Sequence, residues 1–193
     1  MKRSNLGAPA AAKVRAVFLD RDGVIIEEVD YLRRPEQVRL IPGAARAIVR
    51  LRRAGFKVVV VTNQSGVGRG YLTRAVLADI HRFLRRRLAA RGARLDGLYF
   101  CPHAPVSAGG RRCSCRKPAL GMLRRAQRRF GLRLKRDYFV GDSTTDILTA
   151  RRAGCTAILV RTGKGGRDGV YRARPHKVCP DLAAAAAWII SKT

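Results

Sequence analysis

Val14-Arg15-Ala16-Val17-Phe18-Leu19-Asp20-Arg21-Asp22-Gly23-Val24 runs from an apolar stretch straight into two aspartates and a glycine. A short β-branched and aromatic run of this kind reads as a buried strand, and the acids fall just past its carboxyl end. The same arrangement repeats downstream. Pro42-Gly43 opens a helical pattern that stops at Gly55, and Lys57 to Val61 is a continuous β-branched run suited to a strand buried on both faces. Thr73 can cap a long helix to about Arg91, ahead of a third strand at Leu98 to Phe100. A helix over Leu120 to Phe130, a strand over Asp137 to Val140, a helix over Thr145 to Ala153 and a strand over Thr156 to Val160 follow. Residues 163–180, rich in Gly and Arg, read as a mobile loop, and Asp181 caps a last helix over Leu182 to Ile190. Alternating units of this kind predict an α/β fold: a Rossmann-like three-layer parallel sheet with helices on both faces. At 193 residues one domain is expected, with residues 1–13 as a flexible N-terminal tail.

Ligands of such sheets bind beyond the carboxyl ends of the strands. Asp20, Thr62, Cys101 and Asp142 each stand at one of those ends. Two aspartates at i and i+2 can place two carboxylates at one sheet edge. One can attack phosphorus, and the other can give a proton to the leaving oxygen and then take one from water. A carboxylate facing a phosphate needs a divalent cation between them, and Mg²⁺ suits one or two carboxylates with phosphate and water oxygens. Asp142, in Val140-Gly141-Asp142-Ser143-Thr144-Thr145-Asp146, supplies the distant acid. Val61-Thr62-Asn63-Gln64-Ser65-Gly66 offers hydroxyl and N–H donors, and Arg116-Lys117-Pro118 offers cations, for the same phosphoryl oxygens. Alone, an Asp-x-Asp at a strand end is a capping turn; the combination is specific.

A second constellation is Cys101-Pro102-His103, nine residues, then Cys113-Ser114-Cys115. Three thiolates and an imidazole match a closed tetrahedral Zn²⁺ site with no position left for water, hence a structural one. The loop over Ala104 to Arg112 has almost nothing apolar with which to order itself, and a metal staple would fix it together with Arg116 and Lys117. Cys155 and Cys179 lie outside the cluster and read as packing residues.

Charge is the anomaly. Lys and Arg number 41 against 13 Asp and Glu, a net +28. A basic surface attracts nucleic acid. Here, however, the arginines alternate with apolar residues at helical spacing over Arg46–Arg53, Arg82–Arg87 and Arg124–Arg129, as on solvated faces of amphipathic helices. The three glutamates all precede residue 37, while Asp20, Asp22, Asp142 and Asp146 crowd the strand ends, which points to a site. No apolar run approaches the ~20 residues of a membrane span. The basic N-terminus lacks an apolar signal region, so a cytoplasmic, monomeric enzyme without a disulfide framework is expected.

The order Asp20-x-Asp22-Gly23, strand-terminal Thr62, Lys117 and Gly141-Asp142-x-x-x-Asp146 resembles the haloacid dehalogenase superfamily of phosphatases. The resemblance implies Asp20 as nucleophile, Asp22 as general acid/base, and Thr62 and Lys117 on the transferring phosphoryl group. It implies Mg²⁺ on Asp20, the main-chain carbonyl of Asp22, and Asp142, and no large cap domain. Asp146 is left open between helix capping and direct metal work. Leu19 to Val24, Val61 to Gly66, Tyr99-Phe100-Cys101-Pro102-His103 and Cys113 to Pro118 together resemble the D-glycero-D-manno-heptose 1,7-bisphosphate 7-phosphatases and their relatives, the histidinol-phosphate phosphatases.

That narrower resemblance implies a zinc loop over 101–118 on Cys101, His103, Cys113 and Cys115. It implies substrate contacts from Arg21, from Glu28, Val29, Asp30 and Tyr31, from Thr62, Asn63, Gln64 and Ser65, and from Arg116 and Lys117. The expected reaction is removal of the C7 phosphate of a small-molecule sugar bisphosphate, a precursor of nucleotide-activated heptose and the lipopolysaccharide core. Two departures bear on the substrate: Ser143 where a lysine is common, and Val24 where Thr is expected. Histidinol phosphate is the alternative substrate. A nucleic-acid-end phosphatase and a basic nucleic-acid-binding module are the readings from other classes.

Overall fold

The computed structural model describes residues 14–193; the tail expected over 1–13 lies outside them. Among the described residues six strands form one sheet: β1 (Ala16–Leu19), β2 (Lys57–Asn63), β3 (Gly97–Cys101), β4 (Tyr138–Gly141), β5 (Thr156–Val160) and β6 (Lys177–Cys179). Their order is β3-β2-β1-β4-β5-β6, and every pairing is parallel. β1 is central because its four residues, Ala-Val-Phe-Leu, have no polar side chain to hydrate; all four are fully buried.

Side chains alternate across the sheet, so each strand feeds two cores. Val17, Leu19, Val58, Val60, Val140 and Ile158 pack with helices α1 (Ala44–Arg53), α3 (Arg74–Ala89) and α6 (Leu182–Ile190). Ala16, Phe18, Val59, Val61, Phe139 and Ala157 pack with α4 (Gly121–Phe130) and α5 (Thr144–Ala153). The result is the three-layer arrangement read from the sequence. Each fully buried Leu, Ile or Phe contributes roughly 1.5–3 kcal/mol to it. Capping follows the sequence too: Oγ1 of Thr73 accepts from Val76 N–H, and Asp181 accepts from Ala184 N–H. A four-residue helix, α2 (Ser65–Gly68), turns the chain after β2.

Residues 163–180 differ from the loop expected there. They contain β6, a three-residue edge strand with Lys177 and Val178 exposed, and a segment tied to the strand ends. Thr144 donates to Asp168 through both N–H and Oγ1, each at 2.7 Å, and Lys164 N–H donates to Asp142 at 2.8 Å. No helix among the described residues is long and apolar enough to cross a membrane. β1 lies between β2, which starts one arm of the sheet, and β4, which starts the other. That reversal of strand order opens a crevice at the carboxyl edge of β1.

Candidate active site

A cavity of about 480 Å³ fills this crevice. Asp20, Asp22, Glu28 to Tyr31, Asn63 to Ser65, Arg116, Lys117 and Asp142 line it, so nearly all the expected site residues converge from five separate segments. Thr62 is the exception among them: the penultimate residue of β2, it is 1% exposed, its Oγ1 accepting from Gln64 Nε2 at 3.0 Å.

Lys117 is the hub. Its ammonium is 2.9 Å from Asp20 Oδ2 and 2.6 Å from Asp146 Oδ1, and the residue is only 4% exposed. Burial alone would lower its pKa, but the two carboxylates prevail and hold it charged, above the ordinary lysine value. Its main chain is held as well: Lys117 N–H donates to Asn63 Oδ1 at 3.0 Å, and Asn63 Nδ2 donates to the Lys117 carbonyl at 3.2 Å.

Asp146 settles into a double task. It closes a capping box with Ser143 at the start of α5, and its fully buried carboxylate pairs with Lys117. One oxygen each from Asp20, Asp142 and Asp146 lie within 4.8 Å of one another. Hard carboxylate oxygens this close suit a small divalent cation such as Mg²⁺. Burial, then the charges of Asp146 and Asp20, push the Asp142 carboxyl up to about 8, the strain a bound cation would relieve. Gly23 and Gly163, neighbours in space and both at positive φ, lie against Oδ2 of this carboxylate, and a Cβ on either would strike it.

Asp22 faces differently. Both of its oxygens take hydrogen bonds from Arg21 Nε and Nη2, at 2.9–3.2 Å, and Oδ2 takes another from Gln64 Nε2 at 2.9 Å. Its carboxylate stands outside the three-acid cluster. Arg21 and Gln64, expected at the substrate, both line the cavity, and both also belong to a buried network: Arg21 bridges Asp22, Gln64 Oε1 and His81, and the Gln64 amide bonds Asp22, Thr62 and Arg21. Asn63, likewise expected at the substrate, spends its amide on Lys117.

Glu28 sits in the cavity wall, where burial and then the Asp22 charge raise its carboxyl to about 7. Tyr31 adopts φ 55°, unusual for a non-glycine residue, with its ring edge-on to Tyr71 at 4.7 Å. Lys164 was missed by the sequence reading. Its ammonium is held charged, against burial, by Glu28 and Asp142. Lys164 lies four residues beyond Val160, the end of β5, inside the stretch read as a loop, so the strand-end rule that marked Asp20 and Asp142 did not reach it.

The cysteine loop overhangs the cavity through Pro105 and Ser107. Sγ of Cys101, Cys113 and Cys115 and Nδ1 of His103 lie 3.2–3.7 Å apart in five of their pairings. A tetrahedral zinc–thiolate centre has edges of about 3.8 Å, so the four atoms already approximate a metal cage. Burial pushes the Cys101 and Cys115 thiols up. At Cys113 burial is outweighed by hydrogen bonding, foremost from Arg116 N–H, leaving it at about 7. Arg116 in turn donates to the His103 carbonyl at 3.1 Å, tying the loop to the cavity rim.

Comparison with known proteins agrees with this geometry. Residues 17–80 match the haloacid dehalogenase-like hydrolase family, and residues 114–185 match a HAD-hydrolase-like family. A D-glycero-D-manno-heptose-1,7-bisphosphate 7-phosphatase of Thermosynechococcus vestitus is 45% identical over 90% of this chain and 94% of its own. The D-glycero-beta-D-manno-heptose-1,7-bisphosphate 7-phosphatase of Escherichia coli is 37% identical over 94% of this chain and 91% of its own. The crystal structure of the D,D-heptose 1,7-bisphosphate phosphatase of Bordetella bronchiseptica, complexed with magnesium and phosphate, superimposes with a TM-score of 0.82. It is 38% identical and covers 93% of this chain and all of its own. With the Asp20–Lys117–Asp142 crevice and the Cys101–Cys115 cluster on one parallel sheet, this chain belongs to the haloacid dehalogenase-like hydrolases, within the D-glycero-D-manno-heptose-1,7-bisphosphate 7-phosphatase family.

Proposed function

We propose that this protein, acting as a single catalytic domain, removes the C7 phosphate from D-glycero-D-manno-heptose 1,7-bisphosphate through an aspartyl-phosphate on Asp20. The observation that carries the proposal is the Asp20–Lys117 contact of 2.9 Å at the floor of the cavity. It sets a carboxylate beside a buried ammonium that attracts phosphoryl oxygens and keeps the carboxylate oriented. An Asp20 oxygen forms a bond to phosphorus as the bond from phosphorus to the C7 oxygen breaks. Asp22 gives its proton to that oxygen, and heptose 1-phosphate leaves. Water then attacks phosphorus, Asp22 takes its proton, and the Asp20 carboxylate is released with inorganic phosphate.

Mg²⁺, held by Asp20, Asp142 and the main-chain carbonyl of Asp22, supplies the positive charge that lets a carboxylate meet a phosphate. The Cys101, His103, Cys113, Cys115 cluster holds Zn²⁺ in a structural role and keeps Arg116 at the rim. Arg116 and Lys164 are the cations left to meet the phosphate that is not cleaved, and the Glu28–Tyr31 wall meets the sugar hydroxyls.

The test is a steady-state panel of heptose 1,7-bisphosphate, fructose 1,6-bisphosphate and histidinol phosphate. The heptose bisphosphate is expected to exceed the others by about 10²-fold in kcat/KM, the scale on which a site built around polar groups rejects a ligand lacking them. A higher kcat/KM for histidinol phosphate would overturn the substrate.

A further inference from the structure

Behind Asp22 lies a buried polar chain that reaches α3. Arg21 is 1% exposed and the largest fully buried side chain described. An arginine inside a domain is costly unless its donors are all engaged. Here Nε and Nη2 make a fork on the Asp22 carboxylate, Nη2 also reaches Gln64 Oε1 at 2.9 Å, and Nη1 reaches His81 Nε2 at 3.2 Å. Gln64 Nε2 closes the ring by donating back to Asp22. Asp22 therefore cannot rotate without breaking a planar fork and the hydrogen bond from the Gln64 amide together.

His81 fixes the far side of that fork. It lies on the buried face of α3, 7% exposed, with its ring 5.4 Å from Phe100 at the end of β3. A guanidinium only donates, so Nε2 of His81 must accept, which assigns the imidazole as neutral with its proton on Nδ1. Burial, and then the positive charges of Arg21 and Arg85, press the imidazole pKa down to about 3, consistent with that neutral form.

We propose that His81 is a positioning residue for catalysis: by accepting from Arg21 it sets the plane of the guanidinium, and through it the orientation of the Asp22 carboxylate. The inference rests on the role of Asp22 as general acid/base given above. It assigns a catalytic consequence to a helix that contributes nothing to the cavity wall.

A misdirected general acid matters most when the leaving group is a poor one. kcat/KM reads the steps up to release of the leaving group, so it isolates that effect from the later attack of water. His81→Leu and His81→Met, which both remove the acceptor, are compared with wild type on heptose 1,7-bisphosphate, whose leaving oxygen is an alkoxide, and on p-nitrophenyl phosphate, which needs no acid. Both variants are expected to lose about 10–100-fold in kcat/KM on the sugar substrate and no more than about threefold on the aryl phosphate. His81→Gln, which keeps an acceptor at the same reach, is expected to restore most of the loss. Thermal unfolding confirms which variants are folded; should His81→Leu not fold, the ratio in His81→Met decides. Equal losses on both substrates, or no loss, would overturn the inference. Asp22→Asn serves as the control: if it too shows no leaving-group selectivity, the role of Asp22 itself fails, independently of His81.

Discussion

Asn63 and Lys117 are joined edge to edge: the asparagine amide accepts from the lysine N–H at 3.0 Å and donates to the lysine carbonyl at 3.2 Å. The two residues are 54 positions apart, one at the end of β2 and one at the foot of the cysteine loop. An amide is the side chain that can satisfy a backbone donor and acceptor together. Asn63→Ala leaves both groups unmatched and frees the Lys117 backbone to shift. A loss of about 10²-fold in kcat is expected, since a displacement near 1 Å in a catalytic group is enough for that. Steady-state kinetics on the sugar bisphosphate checks it, with KM moving less than kcat.

Asp146→Ala removes a fully buried carboxylate from Lys117 and from the Ser143 capping box at once. Breaking a buried pair costs about 3–5 kcal/mol, and the lower end applies because Asp20 remains beside the ammonium. Urea denaturation followed by circular dichroism measures this as a drop in midpoint at unchanged slope.

The strand ends were legible because each chemical group follows a short apolar run. Asp20, Cys101 and Asp142 lie where continuous β-branched or aromatic stretches stop, and β5 and α6 match their expected limits. What could not be read was direction. Arg21 lines the cavity beside Asp20 and Asp22, yet its side chain is buried because, besides the neighbouring Asp22, it finds acceptors on two distant segments, Gln64 and His81. Spacing within a motif carries no information about such partners. β6 escaped notice for another reason: three residues with two exposed leave no apolar pattern.

With zinc on the Cys101, His103, Cys113 and Cys115 cluster as proposed, its removal is expected to loosen residues 101–118 before the sheet. Protein purified without chelator should carry about one zinc equivalent. Stripping it with a chelator should cut kcat/KM through displaced Arg116 and Lys117, while far-UV circular dichroism changes little. Elemental analysis finding no zinc, with full activity, would contradict the staple.

Asp137 gives a pH prediction away from both candidate metal sites. Its Oδ1 accepts from Ala16 N–H at 2.8 Å, whereas Oδ2 is buried without a partner. Burial raises the carboxyl to about 6, above its unfolded value. A carboxyl raised in the folded state contributes stability that is present below about pH 4 and lost as pH rises through about 6. Asp137→Asn keeps the acceptor for Ala16 and has no charge to bury. Relative to wild type, the variant should therefore gain about 1–3 kcal/mol between pH 4 and pH 7, read from urea midpoints at the two pH values.

The covalent role of Asp20 is tested most directly by rapid quench with substrate carrying ³²P at C7. Wild-type protein is expected to hold label that hydroxylamine releases, mapped to the peptide containing Asp20. Asp20→Asn, folded as judged by thermal unfolding, is expected to hold none and to turn over at least about 10³-fold more slowly. Near-wild-type turnover in the folded Asp20→Asn protein, or wild-type turnover with no protein-bound phosphate at any quench time, would contradict the mechanism.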